Sequence, residues 1–169
     1  MRIETKRYVL REIEDADIAH VFAGLSNPQV IQYYGVSFDT LESTREQMEW
    51  FKESTQMWWA IVDKDHHVFM GAGGLNNISE ENKTAEIGLW LLPEYWGMGI
   101  MKEVIPYICD YGFDTLGLNR IEGFVESENE NCKKVMSKLN FTHEGTMQDC
   151  EMKNNKLISL DTYSLTKGN

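Results

Sequence analysis

Hydrophobic positions alternate with polar ones in some stretches of the chain and recur roughly every three to four residues in others, and the two patterns trade places from end to end without a repeat. Residues 8–11 (Tyr-Val-Leu-Arg) read as a first strand. Residues 15–25 read as a helix with Ile18, Val21, Phe22 and Leu25 on one face, and Asn27-Pro28 breaks it. A second helix is predicted over 41–52. Two strands follow over 57–63 and 68–75, and the polar turn Asp63-Lys64-Asp65-His66 between them makes a hairpin. Residues 84–92 read as an apolar strand that stops at Pro93, and a long helix is expected to begin in the segment Glu94-Tyr95-Trp96-Gly97-Met98-Gly99-Ile100 that follows. Met101, Val104, Ile105, Ile108 and Gly112 mark its buried face, and Pro106, which has no backbone donor, is expected to kink or loosen its early turns.

The chain returns as a strand over 120–126. Asn129 is placed to cap a further helix whose buried face is Cys132, Val135, Met136 and Leu139, with Asn140 as a left-handed C-terminal cap. Two last strands, 142–152 and 157–165, flank an Asn154-Asn155 turn. With 169 residues, 42% apolar and 11% aromatic, and no linker-like shift in composition, the expectation is one continuous domain, 1–169. The expected architecture is α/β (α+β): a mixed, twisted sheet flanked by helices.

Charge and cysteines narrow the chemistry. The 27 acidic residues against 16 basic ones give a net charge of −11, which argues against general binding to nucleic acid and favours cationic partners. Cys109, Cys132 and Cys150 are odd in number and lack a C-x-x-C pair, so free thiols are expected rather than disulfides or a metal site. No apolar run approaches the roughly 20 residues of a membrane helix, and the expectation is a soluble, cytoplasmic protein with no membrane partner.

The strand, glycine turn and helix around residue 97 collect backbone N–H groups at a helix N-terminus, an arrangement that cradles anions. Gly97 and Gly99 let the chain turn sharply and a phosphate approach the backbone. The same pair also fits a plain tight connection. Neither the Walker A pattern nor G-x-G-x-x-G is present, which disfavours a nucleotide triphosphatase, a dinucleotide enzyme or a nucleotide-binding module.

Glu86-Ile87-Gly88-Leu89-Trp90-Leu91, Pro93-Glu94-Tyr95-Trp96-Gly97-Met98-Gly99, the segment 129–139 and Phe141 together resemble the GNAT superfamily of N-acetyltransferases. The similarity is to its RimJ/RimL branch, which acetylates protein N-termini. Asn27-Pro28-Gln29-Val30 and Tyr163-Ser164-Leu165 extend it over nearly the whole chain. The resemblance implies a GNAT fold with splayed central strands and acetyl-coenzyme A as co-substrate. By the same resemblance Trp96, Gly97, Met98, Gly99, Ile100 and Met101 would hold the diphosphate, and the backbone of Trp90, Leu91 and Leu92 the pantetheine arm. Two positions depart from the family: Met101 stands where Gly or Ala is usual, and the N-x-x-S motif appears as Asn129-Glu130-Asn131-Cys132.

Acetyl transfer to an amine needs a base, an oxyanion site and a proton for the leaving thiolate. A strand N–H near Leu91 is the candidate oxyanion donor. Cys132, one turn into its helix, is the candidate acid, on the expectation that the helix dipole lowers its pKa; a small core residue has the same spacing. Glu151 matches, by resemblance, a glutamate proposed as base in that branch, and Glu86 is a second candidate; exposed strand carboxylates are the plain reading of both.

Of the remaining residues, Gly71-Ala72-Gly73-Gly74 fits a bulge or close strand packing, and His66-His67 an exposed turn. Trp58-Trp59 divide between core and cleft, Tyr33-Tyr34 shape a loop, and Lys133, Lys134 and Lys138 serve either solubility or the phosphates. The expected acceptor is an amine, with a peptide or ribosomal-protein N-terminus first. A polyamine or antibiotic acetyltransferase and a non-catalytic acyl-CoA sensor stay open, as does a homodimer.

Overall fold

A computed structural model of the chain describes residues 1–168. Eight strands form one sheet: β1 (Ile3–Glu4), β2 (Tyr8–Glu12), β3 (Met57–Asp63), β4 (Phe69–Ser79), β5 (Thr84–Leu91), β6 (Arg120–Glu126), β7 (Thr142–Lys153) and β8 (Lys156–Thr166). Their spatial order is β1-β2-β3-β4-β5-β6-β8-β7, and β5–β6 is the one parallel pair. The mixed sheet agrees with the expected architecture. Five α-helices cover it: α1 (Ile18–Leu25), α2 (Pro28–Ile31), α3 (Arg45–Phe51), α4 (Ile100–Asp110) and α5 (Glu130–Lys138).

Period-2 alternation sends side chains to two cores. On the front face, Trp59, Ile61, Leu75, Ala85, Leu91 and Ile121 pack against Ile100, Val104, Ile105 and Ile108 of α4 and Met136 of α5. On the back face, Trp58, Ala60, Ala72 and Trp90 pack against Val21 and Leu25 of α1, Val30 of α2 and Met48 of α3. Each fully buried aliphatic side chain contributes on the order of 1.5–3 kcal/mol. Trp58 and Trp59 take opposite faces as alternation requires, but both are buried, at 6% and 0% exposure.

The glycine run is a close-packing device. A Cβ on Gly71 would lie 2.2 Å from the Trp90 carbonyl oxygen, and one on Gly74 would lie 2.3 Å from that of Met57. Strands β3, β4 and β5 can therefore pack these rungs only with glycine there.

Several boundaries differ from expectation. Asn27 does end α1, but its Oδ1 also accepts from the Gln29 N–H, and with Pro28 in the first turn it starts α2. Residues 41–44 stay out of α3 because Thr40 and Ser43 exchange side-chain and backbone hydrogen bonds that hold a turn. Strand β4 runs on to Ser79 past a bulge, and the two-residue β1 had no periodic signal. Helix α4 runs through Pro106 and continues into a π-turn over Tyr111–Thr115 that buries Gly112. Asn140 (φ 68°) adopts the left-handed conformation expected of it, and Asn154 and Asn155 (φ 51° and 62°) make the expected turn, also in the left-handed region.

Candidate functional site

Strands β5 and β6 share only three rungs, Thr84↔Arg120, Ala85↔Ile121 and Glu86↔Glu122. Beyond them β5 keeps β4 as its partner through Leu91, and β6 keeps β8 through Glu126, so the two strands part and leave a gap. The Leu92 N–H donates to the Met70 carbonyl (2.9 Å). Hydrogen-bonding direction alternates along a strand, so Trp90 and Leu92 turn their backbone groups to β4, while Leu89 and Leu91, beyond the last shared rung, turn theirs into the gap. The Leu91 carbonyl accepts from the Trp96 indole Nε1 at 2.9 Å, and its N–H is left facing the opening. Of the expected run Trp90, Leu91 and Leu92, the pairing thus offers the gap Leu91, joined by Leu89. Trp90 instead contributes its indole to the back core, and Leu92 packs beside it.

At the open end of the gap the chain passes a short 3₁₀ turn (Pro93–Tyr95) and reaches Gly97 and Gly99, both at φ 77° in the left-handed region. Gly99 is the N-cap of α4, and no side chain caps this terminus. The first-turn N–H groups of an α-helix have no intrahelical acceptor, so Ile100 and Met101 add theirs to those of the preceding turn. A Cβ on Gly97 would meet nothing within 4 Å, so the space beside this backbone is open. The result is an uncapped, electropositive helix end with an approachable backbone, suited to a diphosphate. Met101 finds room by packing inward against the front core, while Trp96 and Met98 stay exposed. Among the described residues no His/Cys/Asp/Glu cluster could hold a metal ion.

Across the gap, Asn129 caps α5: its Oδ1 accepts from the Cys132 N–H at 3.2 Å. The Cys132 side chain packs beside Val135 and Leu139 on the front core. Burial pushes its thiol up to about 11, opposite to the lowering expected from its place near a helix N-terminus. Cys132 therefore holds its proton at neutral pH.

The start of α5 is held by Asp161. Its carboxylate accepts from Ser127 Oγ (2.5 Å) and Thr146 Oγ1 (3.2 Å), meets His143 Nε2 at 3.0 Å and lies 3.9 Å from Lys133 Nζ. Burial pushes that carboxyl up, but these hydrogen bonds outweigh it and keep it below the usual range. Lys133 is accordingly spent on Asp161 and Glu130, and of the three helix lysines Lys134 and Lys138 remain unpaired.

The back face at the last shared rung carries two carboxylates. Residues of β5 and β6 with even numbers face backwards, which puts Glu86 and Glu122 side by side where the strands part. Opposite them β4 bulges between Asn76 and Ser79, and Asn77, at φ 52°, aims its Nδ2 at Glu86 Oε2 (2.7 Å). Trp58 Nε1 and Asn76 Oδ1 are buried without hydrogen-bond partners, and a Cβ on Gly88 would meet the Trp58 ring and Asn76; Trp90 Nε1, four residues past Glu86 along β5, is likewise buried and unpartnered.

Lys153 bridges the hairpin to this side, donating to Glu126 Oε2 (2.5 Å) and to the Gln32 carbonyl (2.8 Å). Glu151, two residues earlier, stands opposite Ile158 at the outer end of the hairpin, exposed and unpaired. The structure does not bring it to the last shared rung. Leu89, Glu122 and Asp161 were missed by sequence reasoning, and none carried a sequence signal: the phase that turns Leu89 to the gap is set by the pairing of β5 with β4.

Comparison with known proteins bears on these features. A family described as the acetyltransferase (GNAT) domain matches residues 7–142. The chain is 32% identical over 98% of its length to the Bacillus subtilis protein named "Uncharacterized N-acetyltransferase YoaA", covering 96% of that protein. It is 27% identical to the Escherichia coli (strain K12) spermidine N(1)-acetyltransferase over 82% of this chain and 74% of that one. In fold it matches the spermidine N-acetyltransferase from Vibrio cholerae crystallised with CoA and spermine, with a TM-score of 0.87 and 19% identity over 95% of each chain.

Proposed function

The chain belongs to the acetyltransferase (GNAT) domain family, and from that premise we propose that it binds acetyl-coenzyme A in the gap between β5 and β6 and acetylates the α-amine of a peptide or protein. The observation that carries this reading is the parting of β5 from β6 directly above the uncapped N-terminus of α4.

Acetyl-coenzyme A, when bound, supplies the acetyl group as an activated thioester. The amides of residues 97–101 are the donors that fit its diphosphate, and an open backbone at Gly97 leaves room for it. The gap-facing backbone of Leu91, next to the diphosphate turn, supplies a donor to the pantetheine arm. The Leu89 N–H, nearer to Glu86 along β5, stabilises negative charge at the thioester oxygen; Leu91 itself, about 16 Å of strand from Glu86, is too far along to do so. Asn129 holds the first turn of α5 so that Cys132 stands beside the departing sulfur. A thiol that keeps its proton is a hydrogen-bond donor to that thiolate. For the base we assign Glu86 in preference to Glu151, because Glu86 lies where the strands part and Asn77 fixes its carboxylate. The amine attacks directly, with no acyl-enzyme.

The α-amine of a peptide, with a pKa of about 8 against about 10.4 for an alkyl amine, asks less of a carboxylate base, which supports a peptide acceptor. A polyamine is the second reading, favoured by the paired carboxylates Glu86 and Glu122 and by the relatives named for spermidine acetylation. We place the reaction in the cytoplasm, since all three cysteines are free thiols. No helix among the described residues is long and apolar enough to cross a membrane.

Incubation with acetyl-coenzyme A and a panel of free-amine peptides, polyamines and aminoglycosides, read by mass spectrometry, distinguishes these acceptors. Acetylated peptide α-amines are the expected result. Acetyl adducts on polyamines alone would establish the second reading instead, and cofactor binding with no adduct on any amine would leave a sensor.

A further inference from the structure

We infer that Arg7 is a positioning residue for the diphosphate turn, an inference that rests on the acetyl-coenzyme A site proposed above. Arg7 sits in the tight turn joining β1 to β2, which Thr5 closes with bonds to Tyr8: the Thr5 N–H donates to the Tyr8 carbonyl (2.9 Å) and the Tyr8 N–H to Thr5 Oγ1 (3.0 Å). From there it reaches the first turn of α4 and the loop before it. Its Nε donates to Glu103 Oε1 at 2.6 Å, and its Nη2 donates to the Met98 carbonyl at 3.0 Å. The other oxygen of Glu103 accepts from Thr5 Oγ1 (2.6 Å) and from the Arg7 N–H (2.8 Å), so the anchor is saturated. Burial pushes the Glu103 carboxyl up, but these hydrogen bonds prevail and hold it below the usual carboxylate range, so it stays an anion at neutral pH.

The contact to Met98 fixes the direction of an amide. In a trans peptide the C=O and the next N–H point opposite ways, so tying the Met98 carbonyl to Arg7 turns the Gly99 N–H away from the β1–β2 turn. This peptide joins Met98 to Gly99, so a flip of its plane changes Met98 ψ and Gly99 φ, and glycine, here at φ 77°, tolerates either sign of φ; the tether to Arg7 is what opposes the flip. A flip would present a carbonyl where a diphosphate needs a donor. Arg7 is thus a lock on the donor orientation of the turn, its guanidinium standing 3.5 Å from where a Gly99 Cβ would be while Glu103 balances its charge. Only an arginine fork spans Glu103 and Met98 together; an ammonium is a point donor.

The test compares acetyl-coenzyme A with S-acetylpantetheine, which lacks the diphosphate, as acetyl donors to an acceptor that the wild-type protein acetylates. In Arg7→Gln the ratio of kcat/KM for acetyl-coenzyme A to that for S-acetylpantetheine is expected to fall about tenfold to a hundredfold, the scale of a lost charge-assisted hydrogen bond. The loss should appear in KM, and Arg7→Lys should recover only part of it. Should Arg7→Gln fail to fold, Glu103→Gln, which weakens the anchor while leaving Arg7 in place, is expected to move the ratio in the same direction. A fall by the same factor with both donors, or no fall with either, would overturn the assignment. A wild-type protein that shows no preference for acetyl-coenzyme A over S-acetylpantetheine would instead sink the diphosphate site itself.

Discussion

Gly97→Val is expected to raise the Kd for coenzyme A at least about a hundredfold while costing little stability. Gly97 sits at φ 77°, and a Cβ there meets nothing within 4 Å, so valine would not collide with the rest of the protein. The backbone is what suffers: the left-handed conformation costs an L-residue roughly 1–2 kcal/mol, and a β-branched side chain is a true outlier there. The turn relaxes by moving φ to negative values, which re-aims the amides that would meet the diphosphate. Losing two charge-assisted hydrogen bonds of about 1.5 kcal/mol or more each gives the stated factor.

Gly117→Val is the control, since Gly117 also has positive φ (70°) and open space around its Cβ position but lies in the turn leading to β6. It should shift the melting temperature by a similar amount and leave the Kd alone. Calorimetric titration with coenzyme A reads both. A Kd for Gly97→Val within about threefold of the wild type would remove this turn from the binding site.

Glu86→Gln is expected to lower kcat by about a hundredfold or more with KM for the acetyl donor nearly unchanged, the usual scale for losing a general base. Glutamine retains the oxygen that accepts from Asn77 Nδ2, so the side chain keeps its place and loses only its basicity. Glu151→Gln should stay within about twofold of the wild type, because Glu151 is exposed and unpaired at the outer end of the hairpin. Steady-state kinetics on both variants decide between them. The opposite pattern, a large loss at Glu151 and none at Glu86, would return the base to the β7–β8 hairpin.

How far the sequence reveals this molecule depends on the range of the interaction that fixes each part. The long elements were legible because period alone sets them: α4 with Val104, Ile105 and Ile108 on one face, and β3 with its alternating pair of tryptophans. Elements decided by side-chain hydrogen bonds were misjudged. Asn27-Pro28 reads as a breaker although it also caps a new helix, and Thr40 and Ser43 look helix-compatible until they bond to each other's backbone.

The same division runs through the site. The cradle at Gly97 and Gly99 is local, and its glycines show in the sequence. Which strand amides face the gap is not local, because the phase is set by Leu92 donating to Met70, and so Leu89 was overlooked in favour of Trp90 and Leu92. The Cys132 pKa went the other way because a helix N-terminus is visible in the sequence and the burial that raises it is not. Arg7 and Glu103 were invisible as a pair, being 96 residues apart and joined only by the fold.

A crystal structure of the protein with coenzyme A bound tests the central claim most directly. The account predicts diphosphate oxygens within hydrogen-bonding distance of the backbone amides of residues 97–101, and the pantetheine arm running between β5 and β6 against Leu89 and Leu91. A diphosphate seated anywhere else, or a ligand that leaves the gap between those strands empty, would contradict it.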